Sequence, residues 1–226
     1  MIRVLWSLAL LFLTASQASA SSADELIDRV QNKYDSVPSY SAAFVQYTYL
    51  RNGTEPVAEV EGHAAFKKPG MMRIAFTSTG DEFLSDGITL WHHEPRDKQV
   101  TITPAEHFLD STAAISFLAG KGNLRDEFEV SLGRLPEAIP APSGEVVKLT
   151  PRTDRAIRKL LLVVDSDSGL VQESWLYGSV GGTITRMRFL NPETGIELDD
   201  GHFSFEPPFG TDVVRPFSAA STASIE

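Results

Sequence analysis

Five histidines, His63, His92, His93, His107 and His202, are the side chains best suited to metal or acid–base chemistry. A metal site needs donors that converge on one point, yet His92 and His93 are neighbours in a strand-like run and face opposite sides. Neither an H-x-x-x-H nor an H-E-x-x-H spacing occurs. Asp165-Ser166-Asp167-Ser168-Gly169 invites a calcium reading, but the third oxygen position and the distant bidentate glutamate are missing. Two β-prone runs flank it, Leu160 to Val164 and Leu170 to Trp175, so it is expected to be a hairpin turn. Gly178-Ser179-Val180-Gly181-Gly182 is not a nucleophile elbow, because Ser179 follows Gly178 with no residue between them. Serine, histidine and aspartate are all present, but nothing points to a triad. No catalytic residue, metal or cofactor is expected.

What remains is hydrophobic surface, and its positioning is set by the periodicity. Ser22 and Glu25 form a capping-box pattern, and Leu26, Ile27, Val30, Tyr34 and Val37 follow at helical spacing until Pro38. The period then changes to two. Tyr40–Leu50, Val57–Lys67, Met71–Ser78, Glu82–Asp86, Thr89–His93 and Gln99–Thr103 are expected strands, joined by short turns such as Asn52-Gly53, Pro69-Gly70 and Asp86-Gly87. Between Pro104 and Gly122 the pattern breaks into a short apolar helical segment. Leu135 to Gly144, with three prolines, is expected to be a loop. Strands resume over Glu145–Thr150, Ile157–Asp165, Leu170–Tyr177, Thr183–Leu190 and Gly201–Phe205. So many closely connected strands with two helical pieces imply one large curved antiparallel sheet. Met72, Ile74 and Phe76 share one face of their strand, while Met71, Arg73 and Ala75 take the other. Val60, Ala64 and Phe66 do the same on the preceding strand. An ordinary core explains any one of them equally well.

The 226 residues divide into three parts. Residues 1–20 are expected to be a signal peptide: Arg3, an apolar run from Val4 to Leu13, and a small-x-small cleavage site at Ala18-Ser19-Ala20. The run is too short to span about 30 Å of hydrocarbon as a membrane anchor. Residues 21–215 form the folded domain, and 216–226, mostly small and polar, are expected to be disordered. There is no cysteine, which removes disulfides, thiolate metal sites and a lipid-carrying residue after the cleavage site. The formal charge is −10, and loss of Arg3 makes it one unit more negative. Such a chain has no net attraction to anionic lipid or nucleic acid. A soluble, exported protein, monomeric and without nucleic acid as partner, is the expectation.

Three segments in order carry a resemblance: Phe66-Lys67-Lys68-Pro69-Gly70-Met71-Met72-Arg73-Ile74, then Ser85-Asp86-Gly87-Ile88-Thr89-Leu90-Trp91, then Phe203 to Val214. Together, after a leader and a helix, they resemble LolA, the periplasmic carrier family for outer-membrane lipoproteins, over roughly Ala23 to Val214. The resemblance implies a mainly β fold: a single curved antiparallel sheet forming an incomplete β-barrel, with an N-terminal helix and short lid helices over a concave hydrophobic face. It also implies the partners: triacylated lipoproteins as cargo, an inner-membrane ATP-binding-cassette transporter that hands them over, and an outer-membrane acceptor that takes them. On this basis Phe66, Met72, Ile74, Phe76, Leu90 and Trp91 are candidates for the acyl-chain cavity, and Phe108, Ile115 and Leu118 for the lid. Trp91 has an alternative, facing outward against a helix. The family commonly has arginine before the proline of the first segment and uses it to tether the lid. Here the position is Lys68, which keeps the charge but loses the planar fork of donors, and a solvated hairpin tip is an equally good reading of it.

Three rival readings compete with this one. The outer-membrane acceptor of the same pathway shares the fold but needs an acylated cysteine. An envelope-sensing regulator would need a second domain, though a LolA-like protein with another cargo stays open. A hydrolase would need a polar cluster in the cavity, for which no residues stand out.

Overall fold

The computed structural model describes residues 22–51, 53–106, 123–137, 142–153, 157–179 and 182–216. The chain opens with α1 (Ala23–Ser36). Its capping box forms as expected: the Glu25 amide donates to Ser22 Oγ at 3.1 Å, and the Ser22 amide donates to the Glu25 carboxylate at 3.0 Å. Leu26, Ile27, Val30 and Tyr34 are buried on one face of the helix, as their spacing requires.

Six strands follow: β1 (Ser39–Leu50), β2 (Ala58–Lys67), β3 (Met71–Phe76), β4 (Glu82–Asp86), β5 (Thr89–Glu94) and β6 (Gln99–Pro104). After a one-turn helix α2 (Leu124–Glu127) come β7 (Phe128–Leu132), β8 (Glu145–Pro151), β9 (Ile157–Val164), β10 (Val171–Gly178) and β11 (Thr183–Thr194), then a 3-10 turn (Asp200–Phe203) and β12 (Asp212–Val214). All twelve strands lie in one sheet, in the order β12-β6-β5-β4-β3-β2-β1-β11-β10-β9-β8-β7. The long β1 is the seam: it pairs with β2 on one side and with β11 on the other, both antiparallel. Two meanders therefore run outward from β1, one to β6 and one to β7. Among the described residues their outer edges, β12 and β7, do not pair, so the curved sheet stays open. β12 is the exception to antiparallel pairing, lying parallel to β6.

Several elements differ from the periodicity; α2 (Leu124–Glu127) and β12 (Asp212–Val214) answer to no expected helix or strand. Gly201–Phe205, expected as a strand, begins as a 3-10 turn in which Asp199 accepts from the Gly201 amide and caps it. Phe128–Leu132 is a strand that the pattern did not disclose, because it follows α2 without a turn.

The core lies between α1 and the face of the sheet it covers. Tyr40, Phe44, Ala64, Phe66, Met72, Ile74, Leu90, Phe128, Leu149, Leu160 and Leu162 all join the helix residues in one buried cluster. Gly62 is needed beneath it. The Phe44 ring packs onto this residue, where an added Cβ would meet the ring and the Ala75 carbonyl at 2.3 Å.

Candidate functional site

The helix-covered face of the sheet is the candidate site, and strand alternation decides who belongs to it. In β3, Met72 and Ile74 point inward at 1% and 4% exposure, with Phe76 partly buried beside them. Register carries the face across neighbouring strands: Phe66 opposite Met72, Ala64 opposite Ile74, Phe83 opposite Ile74. An aromatic row follows. Phe44 meets Phe76 edge-on at 5.4 Å, Phe76 meets Phe83 at 6.4 Å, and Phe83 stacks on the His92 ring at 4.1 Å. On the other side of the seam the face continues through Met187, Phe189 and Leu176. The result is an apolar surface spanning most of the sheet.

Five of the six residues named from sequence for this face, Phe66, Met72, Ile74, Phe76 and Leu90, come together on it. Trp91 does not. It follows Leu90 directly in β5, so alternation turns it to the opposite face, where its ring rests against Phe205 at 6.5 Å. The lid candidates Phe108, Ile115 and Leu118 lie outside the described residues. Phe44, Phe83, Met187 and Phe189 were missed, although Tyr40, Ala42 and Phe44 alternate in a way that could have disclosed the first.

Three cations hold α1 over this face. Lys68 Nζ donates to the main-chain carbonyls of Tyr34 and Asp35 at 2.6 and 2.8 Å, capping the last turn where the helix dipole is negative. Its own amide donates to the Pro38 carbonyl. Among the described residues, then, Lys68 ties the N-terminal helix to the β2–β3 turn and is not a free hairpin tip. At the other end Arg125 of α2 bonds the carboxylates of Asp24 and Asp28, and the hydrogen bond from Arg125 holds the Asp28 carboxyl below its usual range. Between them Arg29 pairs with Glu145 at 2.9 Å. Burial raises the Tyr34 and Tyr40 hydroxyls well above the ordinary phenol range, so both stay neutral inside the cluster.

The opposite face carries the polar groups. Glu173, 1% exposed, accepts from Arg186 and Arg188 and from the Trp175 indole. Burial would pull the Arg186 guanidinium down, but hydrogen bonds to Glu173 and Tyr49 more than offset it, and the net direction is up. Ser41 Oγ and His63 Nε2 are 3.2 Å apart, yet among the described residues no carboxylate bonds His63 to complete a triad. His93 packs on Phe205, away from His92. The Asp165–Gly169 segment is the β9–β10 turn. Asp165 accepts from the amide and hydroxyl of Ser168, bonds that hold its carboxyl below the usual range. Among the described residues no three potential metal ligands cluster.

Comparison with known proteins gives one family. Residues 35–206 match the model of "Outer membrane lipoprotein carrier protein LolA". A protein from Dechloromonas aromatica named outer-membrane lipoprotein carrier protein is 30% identical over 199 residues, covering 87% of this chain and 89% of the relative. One of the same name from Azotobacter vinelandii is 28% identical, covering 93% and 99%. Among solved structures, an uncharacterized conserved protein from Thermus thermophilus shares the fold, with a TM-score of 0.53 at 16% identity over 85% of this chain and 98% of that one.

Proposed function

Because the chain belongs to the LolA family of outer membrane lipoprotein carriers, we propose that it is a periplasmic chaperone whose helix-covered apolar face takes up the acyl chains of lipoproteins. It receives them from an inner-membrane transporter and yields them to an outer-membrane acceptor, with no covalent chemistry on the carrier. The observation that supports this most is the continuous apolar face from Phe128 in β7 to Phe83 in β4, far broader than one 14-residue helix.

The energetics call for such a face. Each methylene buried is worth about 0.8 kcal/mol, so a sixteen-carbon chain left in water costs roughly 12 kcal/mol. A triacylated protein does not cross an aqueous compartment alone. Release must also be possible. In the structure the face is already packed, with Phe66, Met72, Ile74 and Leu90 all at 4% exposure or less. Cargo must displace that packing, and its recovery on release lowers the net affinity.

The test is release from spheroplasts that make a labelled, outer-membrane-directed lipoprotein, with a matched transporter. Protein from Ser21 onward should bring stoichiometric amounts of the label into the supernatant. Folded protein that releases no more than buffer does would exclude the carrier function.

A further inference from the structure

On the face of the sheet opposite α1, register sets two lysines side by side. Lys148 of β8 is opposite Leu161 of β9, and Lys159, two residues from Leu161, is opposite Tyr177 of β10. Leu161 and Tyr177 belong to a second, smaller apolar cluster, apart from the one that α1 covers. Lys159 Nζ sits over the Tyr177 ring, 4.0 Å from its centroid. Arg158 joins the lysines through a bulge. Tyr177 pairs with Lys159 but Gly178 pairs with Ile157, so Arg158 is an extra residue without a counterpart in β10. Strict alternation would send Arg158 and Lys159 to opposite faces. Here the Arg158 charge acts on both Lys159 and the Tyr177 hydroxyl.

Elsewhere the cations are paired: Arg29, Lys67, Arg73, Arg125, Arg186 and Arg188 each meet a carboxylate. Among the described residues Lys148, Arg158 and Lys159 form no ion pair. Arg158 is exposed, and the two lysines are half-buried. Burial, then the Arg158 charge, then the Lys148 charge hold the Lys159 ammonium below the ordinary lysine value. Charges partly withdrawn from water cost free energy until an anion meets them. In a chain of net charge −10, this is positive charge that the described acids leave open.

We propose that this patch docks an extended acidic segment of a protein partner, one with carboxylates at alternate positions. Lys148 and Lys159 are diagonal neighbours across adjacent antiparallel strands, a separation of about 7–8 Å. Alternate residues of an extended chain are about 6.7 Å apart, twice the rise per residue. Such a segment sets successive same-side carboxylates over the two lysines, and Arg158 beside Lys159 can grip one of them with two donors. An anionic bilayer fits less well. It would meet the negative charge of the whole chain, and mobile headgroups gain nothing from this spacing. The patch lies on the face away from α1, so its use is independent of what the apolar face carries.

Three probes test it at low salt: a labelled peptide of alternating glutamate and serine, a peptide of the same composition with its glutamates in one block, and vesicles of phosphatidylglycerol and phosphatidylethanolamine. Peptide binding is read by fluorescence anisotropy and vesicle binding by co-sedimentation. Protein from Ser21 onward should bind the alternating peptide about three- to tenfold more tightly than the block peptide. Lys148→Gln, Arg158→Gln and Lys159→Gln should each weaken the alternating peptide by a similar factor, whereas Lys33→Gln in α1 should not. Equal affinity for the two peptides, no affinity for either, or losses no larger than that of Lys33→Gln overturn the proposal. Binding to the vesicles in preference to the alternating peptide overturns it in favour of a lipid surface. If a lysine variant does not fold, Arg158→Gln, at an exposed side chain, decides together with the wild-type comparison. These outcomes leave the carrier function untouched, because the release assay reads that separately.

Discussion

Lys68 Nζ lies 2.6 Å from the carbonyl oxygen of Tyr34, joining the β2–β3 turn to the last turn of the helix that covers the apolar face. A second bond to the Asp35 carbonyl makes this a two-point, charge-assisted cap. Lys68→Met removes the charge and keeps most of the stem. It should cost about 1–2 kcal/mol in equilibrium unfolding and speed hydrogen exchange in the last two turns of α1. Lys68→Arg should recover most of the loss. Unchanged exchange in Lys68→Met would show that the helix is held by packing alone.

Gly62 carries the Phe44 ring, and a methyl group has no room there. Gly62→Ala should lower stability by about 1–3 kcal/mol through overpacking. A urea midpoint equal to the wild type would mean that the ring is free to move aside.

Tyr40→Phe acts in the opposite direction in the free protein. It removes a buried hydroxyl that has no partner, and its ring contacts with Tyr34, Phe66 and Phe189 are kept. The variant should be as stable as the wild type or more so, by about 1 kcal/mol. A clear loss of stability would show that the hydroxyl is satisfied in solution.

The His202 imidazole is held below its ordinary value, first by burial and then by the Arg73 and His63 charges, with Glu82 opposing. The unfolded chain therefore binds the proton more readily than the folded one. Stability from this group is full above the unfolded value of 6.5 and is lost as pH falls from there through the folded value. As pH falls below about 6.5, segment 200–205 should exchange hydrogen progressively faster than β3 or β4, and His202→Gln should flatten that dependence. A flat wild-type profile would contradict it.

Much of this was legible in the sequence because it is local. The Ser22–Glu25 cap, the apolar stripe of α1 and the inward set Met72, Ile74 and Phe76 follow from spacing alone. Leu90 and Trp91 show the limit of naming residues from a motif: as strand neighbours they cannot share a face, and the motif placed them together. The role of Lys68 needed three dimensions, since its partners in α1 are brought to it by tertiary packing. The bulge at Arg158 was not legible either, because an extra residue in one strand shows only against its partner.

The most direct test of the central claim is where the acyl chains lie. A lipoprotein carrying a photoactivatable diazirine in its palmitoyl chains would be loaded on the carrier, illuminated and mapped by mass spectrometry. Adducts are predicted on inward residues, among them Phe66, Met72, Phe83 and Leu90, with none on Trp91 or Trp175. Adducts concentrated on those tryptophans, on the opposite face of the sheet, would contradict the carrier account.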